Sequence, residues 1–341
     1  MSNRLNLAVV GCGYWGPNLA RNFDSLPTCR LGAICDSSRE RLGKALVRHP
    51  AARPLASFDE LLSDGDLEAV AIATPVRTHY ELARRALERG LHVFIEKPMT
   101  SSTAEAEELV ALADKKGLVL MVGHVFVYSP AVRKIKKLMA DGELGKVFYI
   151  SSQRLNLGIH QQDINVAWDL APHDISIILY LLDQLPEHVN CSGQAHLASG
   201  IEDVTVMTLK FADGPFASIQ SSWLDPNKVR RTTIVGSRKM IVYDDIEPLE
   251  KIRIYDKRVE APRQYDSFGS FPFAYHYGDM LAPHIEQDEP LRVECQRFVD
   301  CVRNGERSES GGREGLAVVR VLEAANESLR DGGHAIRLQA G

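Results

Sequence analysis

The sequence predicts two units of different class: a doubly wound parallel α/β unit over residues 1–123, and an α+β unit over 124–341 built on a mostly antiparallel, open-faced sheet. Two observations predict this. In the first third, short apolar runs alternate with helical patterns, the order that builds a parallel sheet covered on both faces. After Gly123, runs with period-two alternation follow one another with few helices between them. The 341-residue length itself fits about two domains.

Leu5 to Val10 is a buried parallel strand running into glycines, and Pro17 to Phe23 opens a helix with proline near its first position. Arg30 to Cys35 is a strand, Arg39 to Val47 a helix, Leu67 to Ala73 a strand closed by Thr74-Pro75, and His79 to Glu88 a helix that Gly90 stops. Leu91 to Ile95, Thr103 to Lys116 and Leu118 to Val122 read as strand, helix and strand. Beyond them Pro130 to Met139 is helical, and Val147 to Leu155, Val204 to Phe211, Phe216 to Trp223, Arg231 to Val235 and Met240 to Tyr243 are strands. Asp213-Gly214 marks a hairpin. A helix runs from Asp174 to Leu182, because Pro172 argues against regular helix before it. Pro248 to Pro290 reads as irregular, with an aromatic run of Phe268, Phe271, Phe273, Tyr275 and Tyr277. Helices Leu291 to Arg303 and Glu314 to Leu329 close the chain, and the last can pack back on the first unit.

The strongest local signal is Gly11-Cys12-Gly13-Tyr14-Trp15-Gly16, a G-x-G-x-x-G placed between a strand and a helix. In that context it is the dinucleotide fingerprint of the Rossmann fold. Gly11 makes the turn, Gly13 lets a pyrophosphate approach, Gly16 permits close packing, and the helix N-terminus meets the phosphates. Tyr14 and Trp15 lie in the same loop. Asp36 closes the next strand, where a carboxylate accepts from ribose hydroxyls and repels a 2′-phosphate, so NAD is expected over NADP; Arg39 close by tempers that preference. Cys12 fits the turn by its small size.

Glu96-Lys97-Pro98 after a strand, Thr74-Pro75 with His79 in a T-P-x-x-x-H stretch, and Asp169 with His173 as D-x-x-x-H occur in that setting. Together with the glycine motif they make the chain resemble the glucose–fructose oxidoreductase, inositol dehydrogenase and rhizopine-catabolism family (Gfo/Idh/MocA), from Leu5 to Leu338. The resemblance implies an NAD-dependent dehydrogenase acting on a CH–OH group. In that family the lysine contacts the reacting hydroxyl and the nicotinamide ribose, and the proline peptide is often cis. It implies Glu96, Lys97, Thr74, Pro75 and His79 near the cofactor. The segment from Arg154 through Trp168 to Ile178 resembles the branch that oxidises the C3 hydroxyl of nucleotide-linked (UDP-type) sugars, although Gly158 to Gln162 departs from it. Free sugars, inositols and sugar phosphates stay open, as does a non-catalytic NAD-binding sugar sensor, against which Lys97 and His173 argue.

The chemistry has its own logic. Hydride removal from a secondary alcohol requires loss of the hydroxyl proton; His173 is the expected base, oriented by Asp169 four residues earlier, with Lys97 stabilising the developing alkoxide. His124 and Tyr128, in the G-H-x-F-x-Y-S-P stretch ending at Pro130, are expected to meet substrate, as are Arg154, Asn156 and Asn165; core packing or a solvated loop is the competing reading for each. Asp169, His173, Glu96 and His124 offer metal-type donors, but no metal-binding spacing accompanies them, so no metal is expected.

A formal charge of −5 argues against a nucleic-acid or membrane-surface partner, and no apolar run approaches the ~20 residues of a transmembrane helix. The 6 cysteines form no C-x-x-C pair, which suits reduced thiols and a cytoplasmic protein. An open-faced sheet must bury its outer face, so a homodimer or homotetramer is expected, with Ile219, Trp223, Ile234 and Val242 as candidates for that face.

Overall fold

The computed structural model describes residues 4–212, 214–260 and 273–338. The chain divides into two compact units, Met1–Ser129 with Asp288–Glu323, and Pro130–Gln287 with Ala324–Gly341. The division falls a few residues beyond Gly123, and the chain returns to the first unit after the second.

The first unit runs β1 (Leu5–Val10), α1 (Gly16–Ser25), β2 (Cys29–Cys35), α2 (Arg39–Arg48), β3 (Arg53–Leu55), α3 (Phe58–Leu62), β4 (Ala69–Ile72), α4 (His79–Arg89), β5 (His92–Glu96), α5 (Thr103–Lys116) and β6 (Leu120–Gly123). Its sheet has the order β3-β2-β1-β4-β5-β6, with every pairing parallel. The order reverses between β1 and β4, the switch point where such sheets bind ligands beyond the strands' C-terminal ends. Ser38, Ser57 and Ser102 each accept a backbone N–H in the first turn of α2, α3 and α5, and Gly90 and Gly117 close α4 and α5 in left-handed conformation. The short β3 and α3 carry no clear period, so the sequence does not predict them.

The second unit contains α6 (Pro130–Ala140), β7 (Val147–Leu157), α7 (Val166–Leu182), β8 (His188–Gln194), β9 (Val204–Lys210), β10 (Phe216–Ser222), β11 (Leu224–Gly236), β12 (Met240–Asp244), β13 (Ile252–Glu260) and β14 (Ala274–Leu281). Next comes α8 (Pro290–Asn304), which belongs to the first unit. There Phe23 of α1, Phe94 of β5 and Phe298 of α8 meet edge to face with centroids 5.8–6.1 Å apart, all three fully buried. The chain ends with α9 (Gly312–Arg330) and β15 (Ile336–Arg337).

The second sheet has the order β14-β13-β12-β11-β7-β10-β9-β8-β15, antiparallel throughout except for the β7–β10 pair. The region expected to be irregular therefore supplies β13 and β14. β13 alternates only over its first half, where Ile252 and Ile254 are buried, and β14 is exposed along nearly its whole length, as with Tyr275 and Tyr277, which erases the alternation that reveals a strand. Asp213, Phe268 and Phe271 lie outside the described residues.

α7 covers the inner face, where Ile150, Ala217, Ile219, Ile234 and Ile241 are buried. Ile219, Trp223 and Ile234, expected on the outer face, are thus interior; of the four only Val242 points outward, in one row with Thr233, Ser151 and Ser218. Arg154 of β7 is buried against Asp174 of α7 (Nε–Oδ2 2.7 Å), and the Ser152 hydroxyl donates to the same carboxylate at 2.7 Å. Losing either charge alone would leave the other buried, a cost of about 3–5 kcal/mol.

Candidate active site

In the first unit each candidate residue follows a strand of the parallel sheet at its C-terminal edge. Gly11 adopts φ +94°, and a Cβ on Gly16 would lie 1.8 Å from the Gly11 carbonyl oxygen, so both positions require glycine. Gly13 differs: a Cβ there meets only the end of Arg41, at 4.0 Å. Nothing inside the protein demands that glycine, which fits a backbone held bare for a ligand's approach. Trp15 provides no side-chain cap to α1, Pro17 in its first turn has no N–H, and the Asn18 N–H bonds the Trp15 carbonyl at 2.9 Å, while Tyr14 is 92 % exposed. Asp36 accepts from the Cys12 N–H at 2.6 Å and the Ser38 N–H at 2.7 Å, which locks the loop and leaves further lone pairs for hydroxyl donors. These residues fit a dinucleotide. Burial pushes the Cys12 thiol up to about 11, so it stays protonated and inert.

After β4, exposed Pro75 and half-buried Thr74 border the same edge. His79 lies beneath them: Nδ1 contacts the Pro98 carbonyl at 2.9 Å and Nε2 the Thr74 carbonyl at 2.8 Å, with the ring 1 % exposed. Burial holds its pKa below the usual value. His79 therefore ties the turn after β4 to the turn after β5. The Lys97–Pro98 peptide is cis. Glu96 ends β5 with its carboxyl buried, and Lys97 beside it is half-buried.

His124 is 2 % exposed and burial drives its pKa down to about 3, so it is a neutral interior imidazole. Tyr128 is fully buried, its hydroxyl within 3.0 Å of Ser308 and 2.9 Å of Ser310. Both side chains are interior.

In the second unit α7 begins at Val166, eight residues before the expected start, and carries Pro172 inside it. Pro172 leaves the Trp168 carbonyl without its helical N–H; burial of Val166, Ala167, Trp168, Ala171 and Pro172 and a strong cap hold the early turns nonetheless. That cap is Asn165: Oδ1 accepts the Trp168 N–H at 3.1 Å, and Nδ2 donates to Glu202 and Asn326, each at 3.0 Å. Because the early turns are helical, Asp169 and His173 share one face. The Trp223 indole donates to Asp169 Oδ2 at 3.0 Å and fixes that carboxylate.

Residues 5–124 match the model of the Gfo/Idh/MocA oxidoreductase family, NAD-binding Rossmann fold, and residues 132–242 match the Gfo/Idh/MocA C-terminal domain. A UDP-N-acetylglucosamine 3-dehydrogenase from Acidithiobacillus ferrooxidans is 30% identical over 67% of this chain and 71% of its own. The chain belongs to the Gfo/Idh/MocA oxidoreductases. A 2,7-anhydro-N-acetylneuraminate hydratase from Mediterraneibacter gnavus is 29% identical over 62% of this chain, and the match spans 60% of that hydratase's length. Among solved structures, GenD2 from gentamicin A biosynthesis in complex with NAD superposes with a TM-score of 0.83 at 26% identity, covering 100% of this chain and 98% of the other.

For this Gfo/Idh/MocA chain, several expected substrate contacts have interior partners instead. Asn165 caps α7, Arg154 ties α7 to β7, and Tyr128 bonds within the first unit. Asn156 is half-buried near the end of β7. Trp223, expected on the outer face of the sheet, instead holds Asp169, and for that role it has no local signal. Glu294, a buried carboxyl, does have one: it stands three residues after Leu291 and four before Phe298, inside the apolar stripe of α8. Among the described residues no group of three or more His, Cys, Asp or Glu could hold a metal, no helix is long and apolar enough to cross a membrane, and all six cysteines are free and buried.

Proposed function

We propose that this protein is an NAD-dependent dehydrogenase that oxidises the C3 hydroxyl of a nucleotide-linked sugar. The observation that carries the reading is the shared helix face of Asp169 and His173, with Asp169 anchored by Trp223. Lys97, in the first unit, follows β5 at the sheet edge that bears the glycine loop. When bound, the nicotinamide supplies the hydride acceptor. His173 takes the hydroxyl proton, Asp169 orients the imidazole, and Lys97 stabilises the substrate oxygen. NAD is favoured over NADP because a carboxylate at the end of β2, as Asp36 is, accepts from ribose hydroxyls and repels a 2′-phosphate. Thr74, Pro75 and Glu96 would contribute to the cofactor side of the site and Asn156 to the sugar side. The UDP-sugar relative supports the substrate class.

Incubating the protein with NAD or NADP and UDP-, GDP- and dTDP-sugars, while following NADH absorbance, tests the proposal. Turnover with a nucleotide sugar and NAD is expected. Turnover only with inositols, free sugars or sugar phosphates would move the substrate class, and binding of NAD without turnover on any of them would point to a sensor. The hydratase relative favours a second reading, a redox-neutral cycle with retained cofactor: hydration leaves the substrate's oxidation level unchanged, so product would form without NADH accumulating.

We further propose a homo-oligomer, dimer or tetramer, that buries the outer face of the second sheet. Tyr149 and Phe216 stack there with centroids 5.6 Å apart, beside the Ser151–Ser218 and Gln153–Gln220 hydrogen bonds. Such a flat ladder of short polar and aromatic side chains is self-complementary. Light scattering should give a multiple of the single-chain mass, and Tyr149→Asp should lower it to one chain. A wild-type particle of single-chain mass at micromolar concentration would end the proposal.

A further inference from the structure

In the second unit a chain of contacts among side chains outside the acid–base pair ends on Asp169. Trp223 stands between β10 and β11 and is 1 % exposed, and its indole N–H donates to Asp169 Oδ2 at 3.0 Å. The backbone fixes it on both sides: its N–H donates to the Asp203 carbonyl and its carbonyl accepts the Gly158 N–H, each at 2.9 Å. The Asp203 carboxylate is engaged elsewhere. It accepts the N–H groups of His196 and Leu197 at 2.8 and 3.0 Å and faces the His196 ring at 2.6 Å.

The same indole also carries the segment between β7 and α7. The His160 ring lies against Trp223, with centroids 5.1 Å apart and planes tilted by 56°. His160 Nε2 is shielded from water and has no hydrogen-bond partner, so at that end the ring is held by packing on Trp223 and not by a hydrogen bond. Gly158 is pressed onto the indole as well: a Cβ there would come 2.7 Å from Trp223 Cδ1 and 3.0 Å from the Asn156 amide nitrogen. Gly158 to Gln162 is the stretch in which the sequence departs from the nucleotide-sugar branch. One side chain thus bears both that stretch and the carboxylate that the proposed reaction uses to orient its base.

We propose that His160 is a specificity-determining positioning residue that acts through Trp223: it steadies the indole that sets the Asp169 carboxylate, so the way the 158–162 segment settles on a sugar is expressed in the rate of proton transfer and not in affinity alone. This rests on the reading of Asp169 as the group that orients His173. A hydrogen bond weakens steeply as it departs from linearity. An indole released to rock by loss of His160 therefore holds Oδ2 less firmly. A sugar that leaves the segment seated keeps the bond straight, and one that lifts the segment loosens it and slows the step.

A double-mutant cycle on the full-length protein with NAD and its preferred sugar tests this route. His160→Ala is expected to lower kcat about tenfold while KM changes by no more than about twofold. Trp223→Phe keeps a ring beneath His160 but deletes the indole N–H to a charged acceptor, and should lower kcat by about ten- to a hundredfold. In the Trp223→Phe background His160→Ala should then cost no more than about twofold, because the bond through which it acts is already gone. A residue that merely packs the segment, or touches sugar directly, would give effects that multiply. Multiplying effects, or an unchanged kcat in His160→Ala, overturns the inference. The ¹H–¹⁵N resonance of the Trp223 indole, assigned among the chain's 3 tryptophans by substitution, reads the bond without turnover. It should move upfield in Asp169→Asn and in His160→Ala, and a resonance indifferent to His160→Ala also overturns the inference. Undiminished rate with an unchanged acid limb in His173→Asn would instead overturn the reading of the acid–base pair and leave the indole result standing.

Discussion

Lys97→Ala is expected to keep its fold and its NAD affinity while losing about 10²–10³ in kcat, the usual effect of deleting one preorganised charge contact. Lys97 follows β5 at the sheet edge where Gly11, Asp36 and Thr74 also stand, and it is half-buried. Partial burial strengthens its attraction for a developing alkoxide relative to bulk water. The charge is of little use to the ground-state hydroxyl, so the loss should fall on kcat more than on KM. The substitution leaves the glycine loop and Asp36 untouched, so dinucleotide affinity should stay near the wild-type value. Calorimetric NAD binding with steady-state kinetics on the same preparation measures both quantities. A variant with near-normal kcat would assign Lys97 to structure.

His173→Asn is expected to lower kcat by about 10²–10⁴ and to flatten the acid limb of the pH profile. Oxidation of a secondary alcohol releases a proton as well as a hydride, and only the neutral imidazole can receive it. Below the pKa of the imidazole the wild-type rate should therefore rise tenfold per pH unit and then level off. Asparagine keeps a similar volume on α7 but takes no proton, so the remaining rate should show no such limb. The rest of the arrangement is undisturbed by the change: Asp169 keeps its Trp223 indole donor, and Asn165 keeps its cap on the helix. Unchanged rate and unchanged limb would place the base elsewhere, with Asp169 the next residue to test.

What could be read from the chain alone is local. The apolar runs of β1, β2, β4, β5 and β6 are continuous because both faces of a parallel sheet are covered, so each strand announces itself. The glycine loop and Asp36 are legible because the backbone geometry they serve spans a few neighbouring residues. Asp169 and His173 are legible as a pair because helical spacing of four is a property of sequence. The helix beneath them was not: Pro172 argued it away, and burial of the surrounding apolar side chains and the Asn165 cap restored it.

What only the tertiary structure decided is which polar residues face inward to one another. Tyr128 meets Ser308 and Ser310, some 180 residues on, Arg154 meets Asp174, and Asn165 meets Asn326. A polar side chain carries no mark of whether its partner is a ligand, water or a distant segment of its own chain, so the sequence allowed all of them as sugar contacts. The same holds for α8, whose return to the first unit depends on the Phe23–Phe94–Phe298 contact, and for the second half of β13 and for β14, exposed segments recognisable only by the neighbours that pair with them. Periodicity along the chain encodes which face of an element is apolar; the partner that covers that face is chosen by packing between residues far apart in sequence.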